Sequence, residues 1–118
     1  MRSKWIWASA ALIASTMSAQ AGFFTGNDLY DFCTSSPPFA RGYIMGVTDL
    51  NDLNIGVRDQ SGQVVVPQKF ICIPSGAIAQ QATDIACKYL ADHPEGRQLS
   101  APIRIIDALV AAWPCAQK

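Results

Sequence analysis

The stretch SAPIRIIDALVAAWPC, residues 100–115, decides the fold. Ser100 reads as an N-cap, and Pro102 falls early enough to be tolerated in a first helical turn. Ile103, Ile106, Val110 and Trp113 recur at steps of three, four and three, with Leu109 beside them, which is one face of an amphipathic helix. Pro114 ends that helix and Cys115 follows at once. A helix with a single apolar face must bury it against other elements. The chain upstream supplies them.

Immediately before it, Ile78, Ala82, Ile85 and Tyr89 form a second stripe, widened by Leu90. Ser75, after Cys72-Ile73-Pro74, is the expected N-cap, and His93-Pro94 is the stop. Further upstream, residues 39–53 read as a helix whose apolar face is Phe39, Tyr43, Val47 and Leu50. Gly42 and Gly46 lie beside that face. Glycine in a helix interior costs about 1 kcal/mol, so the pair predicts close approach of another backbone, either inside the bundle or from a second copy. Arg41, Asp49 and Asp52 make this a water-facing helix rather than a membrane one. The first helix opens at Thr25, with Asp28 three residues on as a capping-box variant. It continues through Leu29, Tyr30, Phe32 and Cys33 and is ended by Ser35-Ser36-Pro37-Pro38.

Residues 54–71 change character. Ile55 and Val57, then Val64, Val65 and Val66, flank Asp59-Gln60-Ser61-Gly62. That pattern reads as a short β-hairpin or an extended loop, with Pro67 limiting its second arm to an edge position. The expected fold is therefore mainly α: a small, disulfide-stapled bundle of about four helices with one protruding insertion.

The first 21 residues stand apart. Arg2 and Lys4 precede an uncharged apolar run over 5–17, and Ala19-Gln20-Ala21 is an A-x-A cleavage site. This is the pattern of a cleavable signal peptide over 1–21, leaving one domain at 22–118. The run is shorter than the roughly 20 apolar residues that span a bilayer. Removing Arg2 and Lys4 takes the formal charge from zero to −2, which argues against a nucleic-acid partner. Cys33, Cys72, Cys87 and Cys115 all fall in the domain, and an even count in an exported chain reads as two disulfides. Three pairings are open. With one histidine and no C-x-x-C, zinc-type spacing is absent, and no cofactor is expected.

Nothing in the chain assembles a reaction centre. His93 stands at a helix end, where an imidazolium suits the helix dipole. A Cys–His dyad would need a free thiolate, and paired cysteines offer none. Asp49 and Asp52, three apart, fit a solvated helix face better than an acid–base pair. Phosphate-loop, G-x-S-x-G and H-E-x-x-H patterns are all missing. Trp113, the one tryptophan outside the leader, reads as core.

A set of short segments carries a resemblance that covers nearly all of 22–118. They are Gly26-Asn27-Asp28-Leu29-Tyr30 with Cys33, Gly42-Tyr43-Ile44-Met45-Gly46-Val47, Cys72-Ile73-Pro74, Lys88-Tyr89-Leu90-Ala91-Asp92-His93-Pro94 and Ala108-Leu109-Val110-Ala111-Ala112-Trp113-Pro114-Cys115. In this order and spacing they resemble the Rap/Tai family of immunity proteins linked to bacterial type VI secretion. The resemblance implies a helical periplasmic protein, commonly a homodimer, that binds and blocks a cell-wall amidase effector and protects the producer and its kin. Where the family often carries a cysteine near Ala40, this chain has Ala40 and Arg41, and it has Cys87 instead. If the family's outer cysteines pair, the resemblance implies Cys33–Cys115, with Cys72–Cys87 as the second bridge.

Binding residues concentrate on loops held by a rigid scaffold. The tip of the insertion, Arg58, Asp59, Gln60 and Gln63, is accordingly the expected effector contact. The alternative from the residues alone is a general periplasmic structural or chaperone-like helical protein, which would bind many unfolded clients rather than one folded partner.

Overall fold

Thr25 begins the first helix as the sequence predicts. Its hydroxyl accepts a hydrogen bond from the Asp28 N–H at 3.3 Å, and the Asp28 carboxylate accepts one from the Thr25 N–H at 2.8 Å. This reciprocal capping box satisfies donors that a helix start otherwise leaves open. In the computed structural model, which describes residues 22–52, 60–63 and 71–115, α1 spans Gly26–Ser35 and α2 spans Pro37–Asp52. The start expected for α2 at residue 39 is thereby corrected. Pro37 and Pro38 occupy its first turn, where a missing N–H removes no bond, so the pair that stops one helix opens the next. Residue 53, its expected last residue, lies outside the described residues, as does most of the predicted hairpin.

The third helix, α3, spans Ala79–Asp92, and its expected cap is also corrected. Ser75 does not cap it. Ser75 and Gly76 form a turn closed by a 3.1 Å bond from the Ala77 N–H to the Pro74 carbonyl. Gly76 sits at φ +85°, a left-handed conformation that suits glycine. Ile78 then takes the N-cap position. Its own side chain offers no acceptor, and the Gln81 amide oxygen accepts the Ile78 N–H at 2.9 Å instead. The helix stops at His93 as expected, followed by a 3₁₀ turn at Pro94–Gly96. The fourth helix, α4, spans Ala101–Ala112. Ser100 holds the N-cap position in extended backbone but makes no side-chain cap bond. It bridges instead to Thr25, and the Ala101 N–H donates to the Phe24 carbonyl at 2.9 Å.

Each helix touches the other three. Leu29, Ile44, Leu90, Ile105 and Leu109 are the large side chains at the centre, with Ala40, Ala86, Ala101 and Ala108 buried where helices come close. The apolar periodicity located the helices but placed two of their buried faces about one residue away. On α2 the buried line is Ala40, Ile44 and Thr48, and Phe39 and Leu50 are 44% and 67% exposed. On α4 it is Ala101, Ile105, Ala108 and Leu109, and Ile103 is 50% exposed. The centre of a bundle crowded on three sides is filled with alanine, which a stripe of large residues does not mark. Among the described residues, the close approach expected at Gly42 and Gly46 does not occur, since a Cβ at either meets nothing within 4 Å.

The tightest packing lies where α1 meets the corner between α3 and α4. The Gly26 and Asn27 N–H groups donate to the Leu99 and Arg97 carbonyls, both at 2.8 Å. The Arg97 guanidinium caps α3, donating to the Leu90 and Ala91 carbonyls at 2.6 and 3.2 Å, and lies 3.7 Å above the Tyr30 ring. Those carbonyls belong to the last turn of α3, which has no further helix to satisfy them. Arg104, mostly buried, pairs with Asp107 and runs over the space left open by Gly26 and Gly96.

All four cysteines are paired, but not as the resemblance implied. Cys33 bonds Cys87 and Cys72 bonds Cys115. The first bridge ties α1 to α3, whose Cα atoms stand 6.0 Å apart at these residues. The second joins the segment before α3 to the end of α4. There Ile71 bridges to Pro114 and the Cys72 N–H donates to the Trp113 carbonyl at 3.0 Å, which brings Cys115 beside Cys72 rather than beside Cys33.

Candidate functional site

Among the described residues, a groove opens at the end of the bundle where the insertion leaves and returns. The chain leaves α2 at Asp52 and is next anchored at Ile71, which is fully buried. From there the Pro74–Gly76 turn carries Ile73 and Ile78 toward α2. Trp113, at the C-terminal cap of α4, closes the far side, its backbone N–H held by the Leu109 carbonyl at 2.7 Å. Met45, Thr48 and Asp49 form the α2 wall, and Ala79 and Ala82 form the α3 wall. The groove holds about 100 Å³ and is open to solvent.

The lining is apolar apart from Thr48 and Asp49. The Thr48 hydroxyl donates to the Ile44 carbonyl at 2.7 Å, which commits it to its own helix. Asp49 is exposed and is the one charged residue of the lining. Ile78 is 62% exposed at the mouth and Ile73 lies beside it. A groove with aliphatic walls, a tryptophan edge and a single carboxylate on its rim can seat an apolar side chain next to a cation. Its lining contains no nucleophile paired with a base.

The residues singled out in the sequence fall in different places. Gln60 and Gln63 are exposed, on either side of Gly62, whose φ of +83° is the left-handed conformation of a turn. Arg58 and Asp59 lie outside the described residues. Trp113 is half-buried, packing on the core with one side and lining the groove with the other. His93 stays with its helix end. Its ring stacks on Tyr89 with centroids 4.0 Å apart, and its Nδ1 is 2.9 Å from the Tyr89 carbonyl. A carbonyl only accepts, so Nδ1 carries the proton there. Asp49 stands on the open side of α2, and the side chain of Asp52 lies outside the described residues.

The groove itself was missed in the sequence. Its signal is weak: two isoleucines, Ile73 and Ile78, on either side of a Pro-Ser-Gly turn. On the opposite flank, Phe24, Phe32, Phe39 and Tyr43 form a cluster of edge-to-face and stacked rings with centroids 4.8–6.4 Å apart. Burial among these rings pushes the Tyr43 phenol up. The cluster anchors α1 to α2.

With this geometry described, the comparison with known families is specific. The model of the Rap1a immunity proteins matches residues 25–115. The chain belongs to this family. The match runs from the N-cap of α1 to the last disulfide cysteine, so the bundle, the insertion and the groove are all parts of the Rap1a domain. No curated protein and no solved structure matches the chain. The two disulfides of this Rap1a domain fit an oxidising compartment.

Proposed function

We propose that this protein is a periplasmic immunity protein that binds and inhibits a peptidoglycan amidase effector of type VI secretion, protecting the producer from itself and its kin. In this reading residues 1–21 are a signal peptide removed on export, residues 22–118 are the working domain, and the domain acts as a homodimer without cofactor or reaction of its own. The observation that carries it is the Rap1a match over 25–115. Support comes from the paired cysteines and from the fact that no helix among the described residues is long and apolar enough to cross a membrane.

The effector contact is the tip of the insertion, Arg58, Asp59, Gln60 and Gln63, with the groove at its root as the apolar anchor. Charged rims govern on-rate and selectivity, and buried apolar anchors govern affinity. The test is a titration of the mature oxidised protein into type VI amidases while peptidoglycan cleavage is followed, beginning with the effector encoded nearest to it. Stoichiometric inhibition of one enzyme with no effect on unrelated amidases is the expected result. No inhibition across the panel would overturn the immunity reading. Arg58→Ala with Asp59→Ala should then weaken inhibition of that enzyme while leaving the thermal midpoint unchanged.

A further inference from the structure

The two disulfides differ in access. Cys33 and Cys87 join α1 to α3, and both pack against the central core. Cys72 is exposed and Cys115 half-buried, at the end of the bundle and outside that core. A disulfide opens when a thiolate reaches one of its sulfurs, so access governs the rate, and exposed bridges are the labile ones. The contacts beside the exposed bridge do not pass through sulfur. Ile71 is fully buried and bridged to Pro114, and the Cys72 N–H donates to the Trp113 carbonyl at 3.0 Å. The same segments carry the groove. Ile73 follows Cys72, Trp113 stands two residues before Cys115, and both line it. The bridge thus ties two sides of the groove together, while the helices have their own core and their own staple.

We infer that Cys72–Cys115 is a site of thiol–disulfide exchange open to a dithiol reductant, and that its reduction loosens the groove edge between Ile73 and Trp113 while the bundle stays folded. The exposed Cys72 sulfur is the one attacked. A thiolate of the reductant bonds to it, the S–S bond breaks, and its electron pair leaves on the Cys115 sulfur, which takes a proton. The second thiol of the reductant, as thiolate, then attacks the reductant's own sulfur in the mixed disulfide. Cys72 leaves as a thiolate and is protonated in turn. The bridge gains two electrons and two protons, and the dithiol departs as a disulfide. Cys33–Cys87, packed on the core, stays oxidised through this exchange and keeps α1 on α3. The site is independent of which effector the protein meets.

The experiment treats the mature, oxidised protein with dithiothreitol under native conditions. Samples are quenched in time, alkylated and mapped by peptide mass, while circular dichroism and Trp113 emission are followed. Trp113 is the one tryptophan outside the leader, so its emission reports on the groove. Cys72 and Cys115 should be labelled about tenfold sooner than Cys33 and Cys87. Trp113 emission should change along with that labelling, and the helical signal should hold. Opening of Cys33–Cys87 first, or of both bridges together, would overturn the assignment of the site. Loss of helical signal as Cys72–Cys115 opens, or an emission that does not move, would overturn the local loosening. Cys72→Ser with Cys115→Ser supplies the second check. It should fold and show the emission of the reduced natural protein, and an emission matching the oxidised form would also overturn the loosening.

Discussion

Glycine stands at two places in this bundle for opposite reasons. Where α1 enters the corner between α3 and α4, a Cβ on Gly26 would lie 2.9 Å from the Arg97 carbonyl oxygen and 3.0 Å from Arg104 Cγ. On the outer face of α2, a Cβ on Gly42 or Gly46 would touch nothing. At the first place glycine is required by what is already there. At the second, none of the described residues requires it. The same residue type thus marks one position that cannot gain a side chain without repacking and another that can.

The comparison can be broken most sharply by cutting the covalent tie next to the crowded corner. Cys33→Ser with Cys87→Ser releases a bridge across 54 residues of chain. The chain-entropy relation assigns such a bridge about 4 kcal/mol. Urea denaturation of the variant, with Cys72–Cys115 still oxidised, should show a loss of this order. Unchanged stability would mean that packing alone holds α1 in place. Next in size, Gly26→Ala should lose about 2 kcal/mol by overpacking, because the atoms it meets are a backbone carbonyl and the stem of a buried arginine. Gly96→Ala should lose less, since it meets the far end of the Arg104 side chain, which has some freedom to shift.

Thr25→Ala should cost about 1 kcal/mol near neutral pH, and its effect should depend on acidity. The Thr25 N–H, and after it the Thr25 hydroxyl, hold the Asp28 carboxyl below the usual carboxylate range. A carboxyl lowered by folding stabilises the protein above its unfolded value and loses that contribution as pH falls through its folded value. The gap in thermal midpoint between the natural protein and Thr25→Ala should therefore narrow in acid. A gap that stays constant down to about pH 2 would remove the Asp28 carboxylate from the account. The smallest effect carries the opposite sign. Gly42→Ala, measured by urea denaturation in dilute solution, should gain about 0.5–1 kcal/mol from helix propensity, since the added methyl meets none of the described residues. A loss of stability at high dilution would mean that Gly42 serves the protomer after all.

What the sequence revealed follows the range over which each signal acts. Thr25 with Asp28 and the stop at His93-Pro94 are local, and the structure has them as read. The same local logic misled at Ser75, where a cap-forming residue was drawn into a turn by the glycine after it, leaving Ile78 to begin α3 with help from Gln81. The buried faces of α2 and α4 were displaced because alanines such as Ala40 and Ala108 fill the tight centre while Phe39 and Ile103 sit outside it. The disulfide pairing was out of reach, since it depends on Ile71 lying against Pro114. Arg97 gave no sign of its role either. It acts on a helix end several residues upstream and on an aromatic ring in another helix.

The staple between Cys72 and Cys115 has a consequence for how such a domain can diversify. Residue 71 is buried, bridged to Pro114 and followed at once by a covalent tie to the end of α4. The segment between α2 and that point is attached to supports that do not depend on what the segment contains. Changing its length twofold alters the closure term by only about 0.6 kcal/mol. Recombination or drift can rewrite those residues without re-solving the folding problem, much as a tool holder accepts a new bit. Under the proposed immunity function, a lineage facing a new effector can change its recognition there while inheriting the rest intact.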